Sequence, residues 1–292
     1  MKGFADARDA WIAAGGVGAL VLVTLGLALR LGAPVREASV LIAANADGGV
    51  ATLRVSTANT GLVDPVATVR LAFLPADAPP LAHRATRLPT RVDEDGVAAP
   101  PDSLRREGNT WSATIGGEGL QARLTLRAAG DDPRGCPVAL GPIAGTIEDG
   151  RAGQTFDGSA LIVRTRARFG ARATALYAVG PTLALGLDPH GTCPAFVRGS
   201  GVAWTGPAPG APPERPGESA VLGPVRITVE ARTDAVALEP LDHVTAPERW
   251  LGRLAGLRPT FVRRARVRVR GPTLPEDGVA LPAVLYARGD AR

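Results

Sequence analysis

The stretch FVRRARVRVR, residues 261–270, alternates between two sets of side chains. Successive residues of a β-strand point to opposite faces, so a period of two predicts a strand with two distinct faces. The residues on the first face are Phe261, Arg263, Ala265, Val267 and Val269. The residues on the second face are Val262, Arg264, Arg266, Arg268 and Arg270. The pattern therefore predicts a strand with one mostly apolar face and a row of arginines on the other.

The same period of two recurs along much of the chain and predicts an all-β fold. In residues 225–231, for example, Val225, Ile227 and Val229 alternate with polar side chains. The 36 glycines and 26 prolines interrupt the chain too often for long helices in its main body. We expect a sandwich or barrel of roughly ten short, mostly antiparallel strands. The other strands are predicted at residues 40–44, 50–57, 66–74, 120–127, 159–169, 172–179, 182–187, 195–204 and 283–286, with one more beginning at Trp111.

Two polar stretches are predicted to be loops. Residues 75–108 are rich in Pro, Asp and Arg, show no periodicity and include His83, which we expect to be solvated. Residues 206–217, GPAPGAPPERPG, form a proline-rich loop or linker. Long loops in compact bodies are often functional. The main body, residues 38–292, is therefore either one domain or two domains divided near 75–108 or 205–223.

One short amphipathic helix is predicted near the C-terminal end. Residues 245–248, TAPE, form a capping box with proline in the first turn, where its missing N–H is not needed. Pro259 stops the helix. The side chains at apolar helical spacing are Trp250, Leu251, Leu254 and Leu257. This helix either packs its apolar face on the sheet or lies on a membrane surface, where Trp, Leu and Arg side chains are common.

An uncharged apolar run precedes the main body. Residues 11–29 read WIAAGGVGALVLVTLGLAL. At about 1.5 Å rise per residue, a helix of this length is just long enough to cross the hydrocarbon core of a bilayer. We predict a single transmembrane helix at residues 11–31, preceded by a short cytoplasmic segment at residues 1–10.

A signal peptide that is removed is the alternative for this run. Lys2 and Arg8 form a basic start before the apolar residues, as in signal peptides. Cleavage after Ala33 is disfavoured, because Leu31 stands where a small residue is expected. The apolar run is also longer than a usual signal core, so we expect the helix to remain as an anchor.

Small residues form overlapping pairs within the predicted transmembrane helix. Ala14 pairs with Gly18, and Gly15 pairs with Ala19, each at a spacing of one helical turn. Such small-xxx-small pairs allow a second helix to approach closely. They predict a contact with an integral membrane partner, although glycine and alanine are also common in membrane helices and in this whole chain.

The chain has two cysteines, Cys136 and Cys193, in similar local sequences. Each follows an apolar strand and an Asp-Pro turn that contains glycine, and each precedes a proline. This internal repeat places them at equivalent strand ends, so we predict a disulfide worth about 4 kcal/mol in the chain-entropy model. The alternative is a metal site of mixed ligands with Asp188 and His190. Disulfides persist in oxidising compartments, so the main body is predicted on the periplasmic or outer side of the plasma membrane of a bacterial cell.

Two rows of arginines are the most distinctive charged feature. The predicted partner or anion contacts are Arg164, Arg166, Arg168, Arg264, Arg266, Arg268 and Arg270. Like charges on one strand face repel each other unless carboxylates or anions lie opposite. The structural interpretation is a solvated face with Glu or Asp on the neighbouring strand. The functional interpretation is a docking face for an acidic partner or for anionic lipid head groups.

No catalytic, metal-binding or cofactor-binding motif is recognisable, and we expect no cofactor. The net charge of +5 is modest and does not predict nucleic-acid binding. The leading hypothesis is a membrane-anchored, non-enzymatic accessory subunit that braces a complex of integral membrane proteins on its outer side. The alternative is a tethered, lipocalin-like barrel that binds a lipid or another apolar small molecule. An enzyme built from scattered Asp, Arg and Tyr residues is a third, weaker hypothesis.

Overall fold

In the computed structural model, the described part of the main body consists of β-strands and the turns between them. The described residues are 20, 35–58, 66–89, 91–93, 95–117, 120–128, 136, 138–148, 153–165, 174–189, 191–238 and 260–288. Every regular element among residues 35–288 of this described part is a strand. The predicted all-β class is therefore confirmed.

The described residues form nineteen strands in two antiparallel sheets. The strands of the first sheet are β1 (Val35–Asn45), β2 (Val50–Ala58), β3 (Val66–Leu74), β4 (Leu81–Arg87), β5 (Arg91–Asp93), β6 (Gly96–Ala99), β7 (Asp102–Glu107), β8 (Thr110–Gly116), β9 (Gln121–Arg127), β10 (Val138–Glu148) and β11 (Gly153–Thr165). The strands of the second sheet are β12 (Ala175–Val179), β13 (Leu183–Leu187), β14 (Ala195–Gly199), β15 (Val202–Gly206), β16 (Ser219–Leu222), β17 (Val225–Leu238), β18 (Thr260–Arg270) and β19 (Val279–Arg288).

Each sheet is mostly a meander in which consecutive strands pair. The first sheet has the order β4-β3-β2-β1-β11-β10-β9-β8-β7-β6-β5, so the pairing of β1 with β11 joins its two arms. The second sheet has the order β15-β14-β13-β12-β19-β18-β17-β16, and β12 pairs with β19. Short hairpin connections of this kind favour antiparallel neighbours.

Both sheets curl toward closure, which gives them a barrel-like form. In the first sheet, Arg87 on the edge strand β4 makes a 3.2 Å ion pair with Asp102 on β7, close to the opposite edge. The buried Asp102 carboxylate also accepts a 2.9 Å hydrogen bond from the Gly116 amide. In the second sheet, β14 contacts β16. Curling of this kind encloses one face of each sheet.

Three apolar layers result from this arrangement. One layer fills the concave side of the first sheet, and another fills the concave side of the second. A third layer, here called the middle layer, lies between the sheets and includes Cys136 and Cys193. Its other members are Val40, Ile42, Ala44, Val50, Ala72, Leu74, Val138, Leu161, Val163, Ala175, Tyr177, Val179, Ala184, Phe196, Val262, Val284 and Tyr286. Strands β1, β2, β3 and β11 therefore each place buried apolar side chains on both of their faces.

The prediction of one long loop at residues 75–108 is wrong. Four strands, β4 to β7, lie in this stretch. Each is short, and the only buried apolar side chains of the described β6 and β7 are Val97, Ala99 and Leu104. The alternation is too short, and too often interrupted by prolines and charged residues, to be recognised in the sequence as a period of two. His83, predicted as solvated, lies on β4 and is half-buried.

Two predictions about strands also differ from the structure, one about pairing and one about the length of a strand. The strands predicted at 159–169 and 172–179 were expected to be adjacent, but β11 and β12 belong to different sheets. The strand predicted at 195–204 is a hairpin of β14 and β15. Its turn has positive φ angles at Gly199, Ser200 and Gly201 (102°, 50° and 77°), so the chain reverses where the sequence pattern continues.

Strand β10 has no counterpart among the predicted strands. Gly141, Pro142 and Gly145 interrupt its apolar pattern and resemble turn residues. A side chain at Gly141 would overlap the carbonyl oxygen of Arg127, so glycine permits the close approach of β9 at this point. The two glycines thus serve strand packing, which a sequence pattern does not distinguish from a turn.

The predicted disulfide between Cys136 and Cys193 is confirmed. The two Cα atoms lie 5.2 Å apart, and both side chains are buried in the middle layer. Cys136 precedes β10 of the first sheet, and Cys193 precedes β14 of the second. The bridge therefore fastens one sheet to the other. It also occupies both thiols of the alternative metal site, whose His190 lies outside the described residues.

Both predicted helices fall almost entirely outside the described residues. Of the predicted transmembrane helix, the structure describes only Leu20, which has helical backbone and is exposed. The amphipathic helix at 245–257 is not among the described residues. Within the described ranges, no helix has the length and hydrophobicity that a membrane crossing requires.

Candidate anion-binding cleft

A cleft of about 380 Å³ lies between the β1–β2 turn and strands β17, β18 and β19 of the second sheet. It is here called the arginine cleft. Arg232, Arg264 and Arg266 line it, and Asp47 is the only carboxylate among the described lining residues. The other lining residues are Gly48, Ala231, Thr233, Ala265, Ala280, Leu281 and Pro282. The cleft therefore combines positive charge with a small apolar surface.

The alternation of β18 and irregular pairing with β17 place these arginines. Arg264 and Arg266 are two residues apart on the same face of β18. The register between β17 and β18 shifts between Val229 and Ala231, and again beyond Arg232. Such bulges redirect the side chains next to them. They bring Arg232 to the cleft, although the regular alternation of β17 ends before it.

Each arginine of the cleft is held by a contact that uses only part of its hydrogen-bonding capacity. Arg264 Nη2 donates a 3.0 Å hydrogen bond to the Ala76 carbonyl oxygen of the first sheet. Arg232 Nη1 donates a 3.1 Å bond to the Glu214 carbonyl oxygen. Arg266 makes a 3.3 Å ion pair with Glu230 and stays 63% exposed. A guanidinium carries five N–H donors, so all three can donate further bonds to an anion.

The second predicted arginine row lies along the outer face of β18. Glu230 on β17 pairs with both Arg266 and Arg268, so it is the cross-strand carboxylate of this row. Arg268 also donates a 2.9 Å bond to the Asp277 carbonyl oxygen. Arg270 is exposed and lies directly opposite Arg226. Only Arg264 and Arg266 of this row reach the cleft.

The first predicted arginine row does not share this surface. Arg164 lies on the concave side of the first sheet, where its guanidinium stacks over the Trp111 ring at 5.1 Å from the ring centre. A cation–π contact of this kind helps to fix the position of the guanidinium. Arg166 and Arg168 lie outside the described residues. The two rows thus belong to different sheets and, where described, to separate surfaces.

Three features of the cleft could not be read from the sequence. Arg232 follows a bulge, so it falls outside the alternation that identifies the other arginines. Asp47 and Gly48 belong to a turn whose distance from β18 depends on how the sheets pack.

Among the residues that the structure describes, no group of three His, Cys, Asp or Glu side chains is arranged to hold a metal ion.

Comparisons with known proteins provide no family for this chain. No protein-family model matches it, and no curated protein matches its sequence. Its fold is similar to that of two crystal structures of CghA, one of them with Sch210972. Each similarity has a TM-score of 0.49 and 10% sequence identity, and covers 88% of this chain and 89% of the other. At this TM-score and identity, the likeness carries no argument about function.

Proposed function

We propose that this chain is a non-enzymatic binding subunit that docks an acidic segment of a partner protein in the arginine cleft. The observation that carries the proposal is the convergence of Arg232, Arg264 and Arg266 on one cleft with Asp47 as its described carboxylate. The planar guanidinium grips carboxylates with two parallel hydrogen bonds, which gives both attraction and orientation.

The size and lining of the cleft favour a short segment. Ligand pockets occupy about 300–1,000 Å³, so a cleft of 380 Å³ is at the small end and holds a few side chains. Ala280 and Pro282 lie beside the arginines and can contact the aliphatic stems of Glu side chains. Electrostatic attraction of this kind mainly sets specificity and association rate.

The sequence supports placing the partner in a membrane. The uncharged run at residues 11–29 motivates a single-pass anchor in the plasma membrane, with the main body on the outer or periplasmic side. The disulfide fits that oxidising side. Ala14, Gly15, Gly18 and Ala19 provide a surface for an integral membrane subunit. In this proposal the main body braces the same complex on its outer side, and membrane lipid surrounds the anchor.

A tethered lipocalin-like carrier is the second candidate, because the barrel-like form of the sheets is compatible with it. A carrier needs an apolar cavity on the concave side of a barrel. The concave side of the first sheet is occupied by the large, buried side chains of Phe73, Phe156 and Trp111. The rings of Phe73 and Phe156 are packed edge to face at 6.0 Å between centres. The basic cleft therefore supports docking better than apolar transport.

The test measures binding of a labelled oligoglutamate peptide to the full chain in mild detergent, by fluorescence anisotropy. Arg264→Gln combined with Arg266→Gln should weaken binding by about tenfold or more, since each lost charged hydrogen bond is worth about 1.5–3 kcal/mol. Arg226→Gln with Arg270→Gln is the matched control, because these exposed arginines lie on the same sheet outside the cleft.

An equal loss of peptide binding in both double variants would refute the cleft as the docking site, because it would mean that only the net charge of the protein matters. A second arm extracts tagged chain from its native membrane and identifies stoichiometric partners by mass spectrometry. Loss of a partner in the cleft variant alone supports the proposal. Recovery of a lone chain with bound apolar ligand would support the carrier instead.

A further inference from the structure

The β1–β2 turn holds Asp47 beside the arginine cleft. The Asn45 amide donates a 3.0 Å hydrogen bond to the Gly49 carbonyl oxygen, and the Gly48 amide donates a 3.1 Å bond to the Asn45 carbonyl oxygen. The side-chain Oδ1 of Asn45 also accepts a 2.6 Å bond from the Gly49 amide. Asparagine side chains stabilise turns through bonds of this kind. The turn is therefore well ordered, and it fixes the place of Asp47 relative to β1 and β2.

The cleft brings this carboxylate of the first sheet to three arginines of the second sheet. Asp47 is exposed and makes no ion pair or hydrogen bond within the ranges that the structure describes. Arg232 and Arg264 donate to backbone carbonyl oxygens. Arg266 is paired with Glu230, which does not line the cleft. The Asp47 carboxylate thus borders the same space as the guanidiniums and can contact a bound molecule.

The cleft therefore has a positive side and a negative side. Arg264 and Arg266 are two residues apart on β18, or about 7 Å along the strand, and can bind the carboxylates of an acidic segment. A volume of 380 Å³ corresponds to a width of roughly 7 Å, which is less than the Debye length of about 8 Å at physiological ionic strength. At such separations Asp47 still repels a further carboxylate and attracts an ammonium or guanidinium group.

We propose that Asp47 makes the arginine cleft selective for a segment in which a basic side chain lies next to an acidic one. The inference rests on the docking function proposed above and names the chemistry of its partner. The acidic side chain binds Arg264 and Arg266, and the basic side chain pairs with Asp47. A uniformly acidic segment also binds the arginines, but it places a carboxylate beside Asp47 and loses part of its affinity.

A purely structural role for Asp47 gives a different expectation. In that role the carboxylate only reduces the repulsion among the arginines of the cleft. Its removal would then leave a more positive cleft, which would attract every peptide of net negative charge more strongly. In the proposed role, its removal affects uniformly acidic and mixed-charge peptides in opposite directions, because only the mixed-charge peptide loses a partner.

The test measures the binding of two labelled hexapeptides to the full chain in mild detergent, by fluorescence anisotropy. One peptide is hexaglutamate, and the other repeats Glu-Glu-Lys twice. Asp47→Asn should strengthen the binding of hexaglutamate and weaken the binding of the mixed-charge peptide, each by about two- to fivefold, as expected for exposed ion pairs. Asp47→Glu keeps the charge and should keep the preference of the unaltered chain.

Two controls separate the proposed pair from net charge. Glu276→Gln removes an exposed carboxylate from the β18–β19 turn, outside the cleft, and should shift the binding of both peptides in the same direction or leave both unchanged. A third peptide repeats Glu-Glu-Gln twice and lacks the basic side chain. Its binding should not weaken in Asp47→Asn, which completes a double-mutant cycle between Asp47 and the lysines of the peptide.

The outcomes distinguish this inference from the docking function on which it rests. If Asp47→Asn shifts hexaglutamate and the mixed-charge peptide in the same direction, or weakens the Glu-Glu-Gln peptide as much as the Glu-Glu-Lys peptide, the inference is overturned and docking stands. If neither peptide binds the unaltered chain, or if Arg264→Gln with Arg266→Gln leaves binding unchanged, the docking function is refuted and the inference falls with it.

Discussion

Removing the disulfide should cost this protein about 4 kcal/mol of unfolding free energy. Cys136 and Cys193 are separated by 57 residues, and in the chain-entropy model the bridge restricts the unfolded chain by that loop. The entropy lost on closing a loop of this length is roughly 14 cal/mol/K, which corresponds to about 4 kcal/mol at 25 °C. This is a large part of the 5–15 kcal/mol that stabilises a typical domain.

The position of the bridge adds a second expectation. The bridge joins residues that are 57 positions apart, so the unfolded chain is more compact with the bridge than without it. The dependence of the unfolding free energy on urea should therefore become steeper when the bridge is absent. Replacing both residues by alanine also removes two buried sulfur atoms, which adds a packing loss to the entropic one.

Urea denaturation followed by tryptophan fluorescence measures both quantities. Trp111 reports on the first sheet and Trp204 on the second. The comparison is between the oxidised chain, the chemically reduced chain and Cys136→Ala combined with Cys193→Ala. The reduced chain controls for packing, because it keeps both sulfur atoms. A difference of less than about 1 kcal/mol between oxidised and reduced chains, with equal urea dependence, would refute the reasoning.

Three further changes test the packing of the sheets and of the middle layer. Asp102→Ala should cost about 3 kcal/mol of unfolding free energy, because it removes a buried carboxylate that binds Arg87 and the Gly116 amide. A loss of less than about 1 kcal/mol in a urea titration would contradict this expectation. Gly186→Ala should cost about 2 kcal/mol or more, because the new Cβ would overlap the buried Phe196 ring; thermal unfolding at the unaltered temperature would show that the ring has room. The raised pKa of Tyr177 means that the folded state keeps its proton longer than the unfolded state, so its stabilising effect is present below about pH 10 and is lost as the pH rises further. Denaturation curves across that pH range should fall less steeply for Tyr177→Phe, and an unchanged slope would argue against the burial of this phenol.

Much of the fold followed from alternating side chains. Strands β17 and β18 were predictable because Val225, Ile227 and Val229, and likewise Val267 and Val269, recur with a period of two on one buried face. Strands β4 to β7 were not, because their buried positions are few and are separated by prolines and charges. The partition into two sheets also escaped prediction, since neither β11 nor β12 contains a signal for the sheet that it joins.

The candidate sites divide in the same way. Arg264 and Arg266 could be recognised in the sequence, because they share one strand and one face. Arg232 and Asp47 join them only through a bulge in β17 and through the packing of the β1–β2 turn, and no spacing in the sequence marks either contact. A row along one strand is a local property, whereas a cleft between a turn and three strands is a property of the packing.

Because the middle layer contains side chains from both sheets, a change in one sheet affects the packing of the other. A fragment that contained only the second sheet would expose the apolar face that carries Val262 and Val284. The contact between Thr52 and Tyr286 joins residues that are 234 positions apart. A substitution at one of them changes what is tolerated at the other, and the two halves of the sequence must therefore vary in concert.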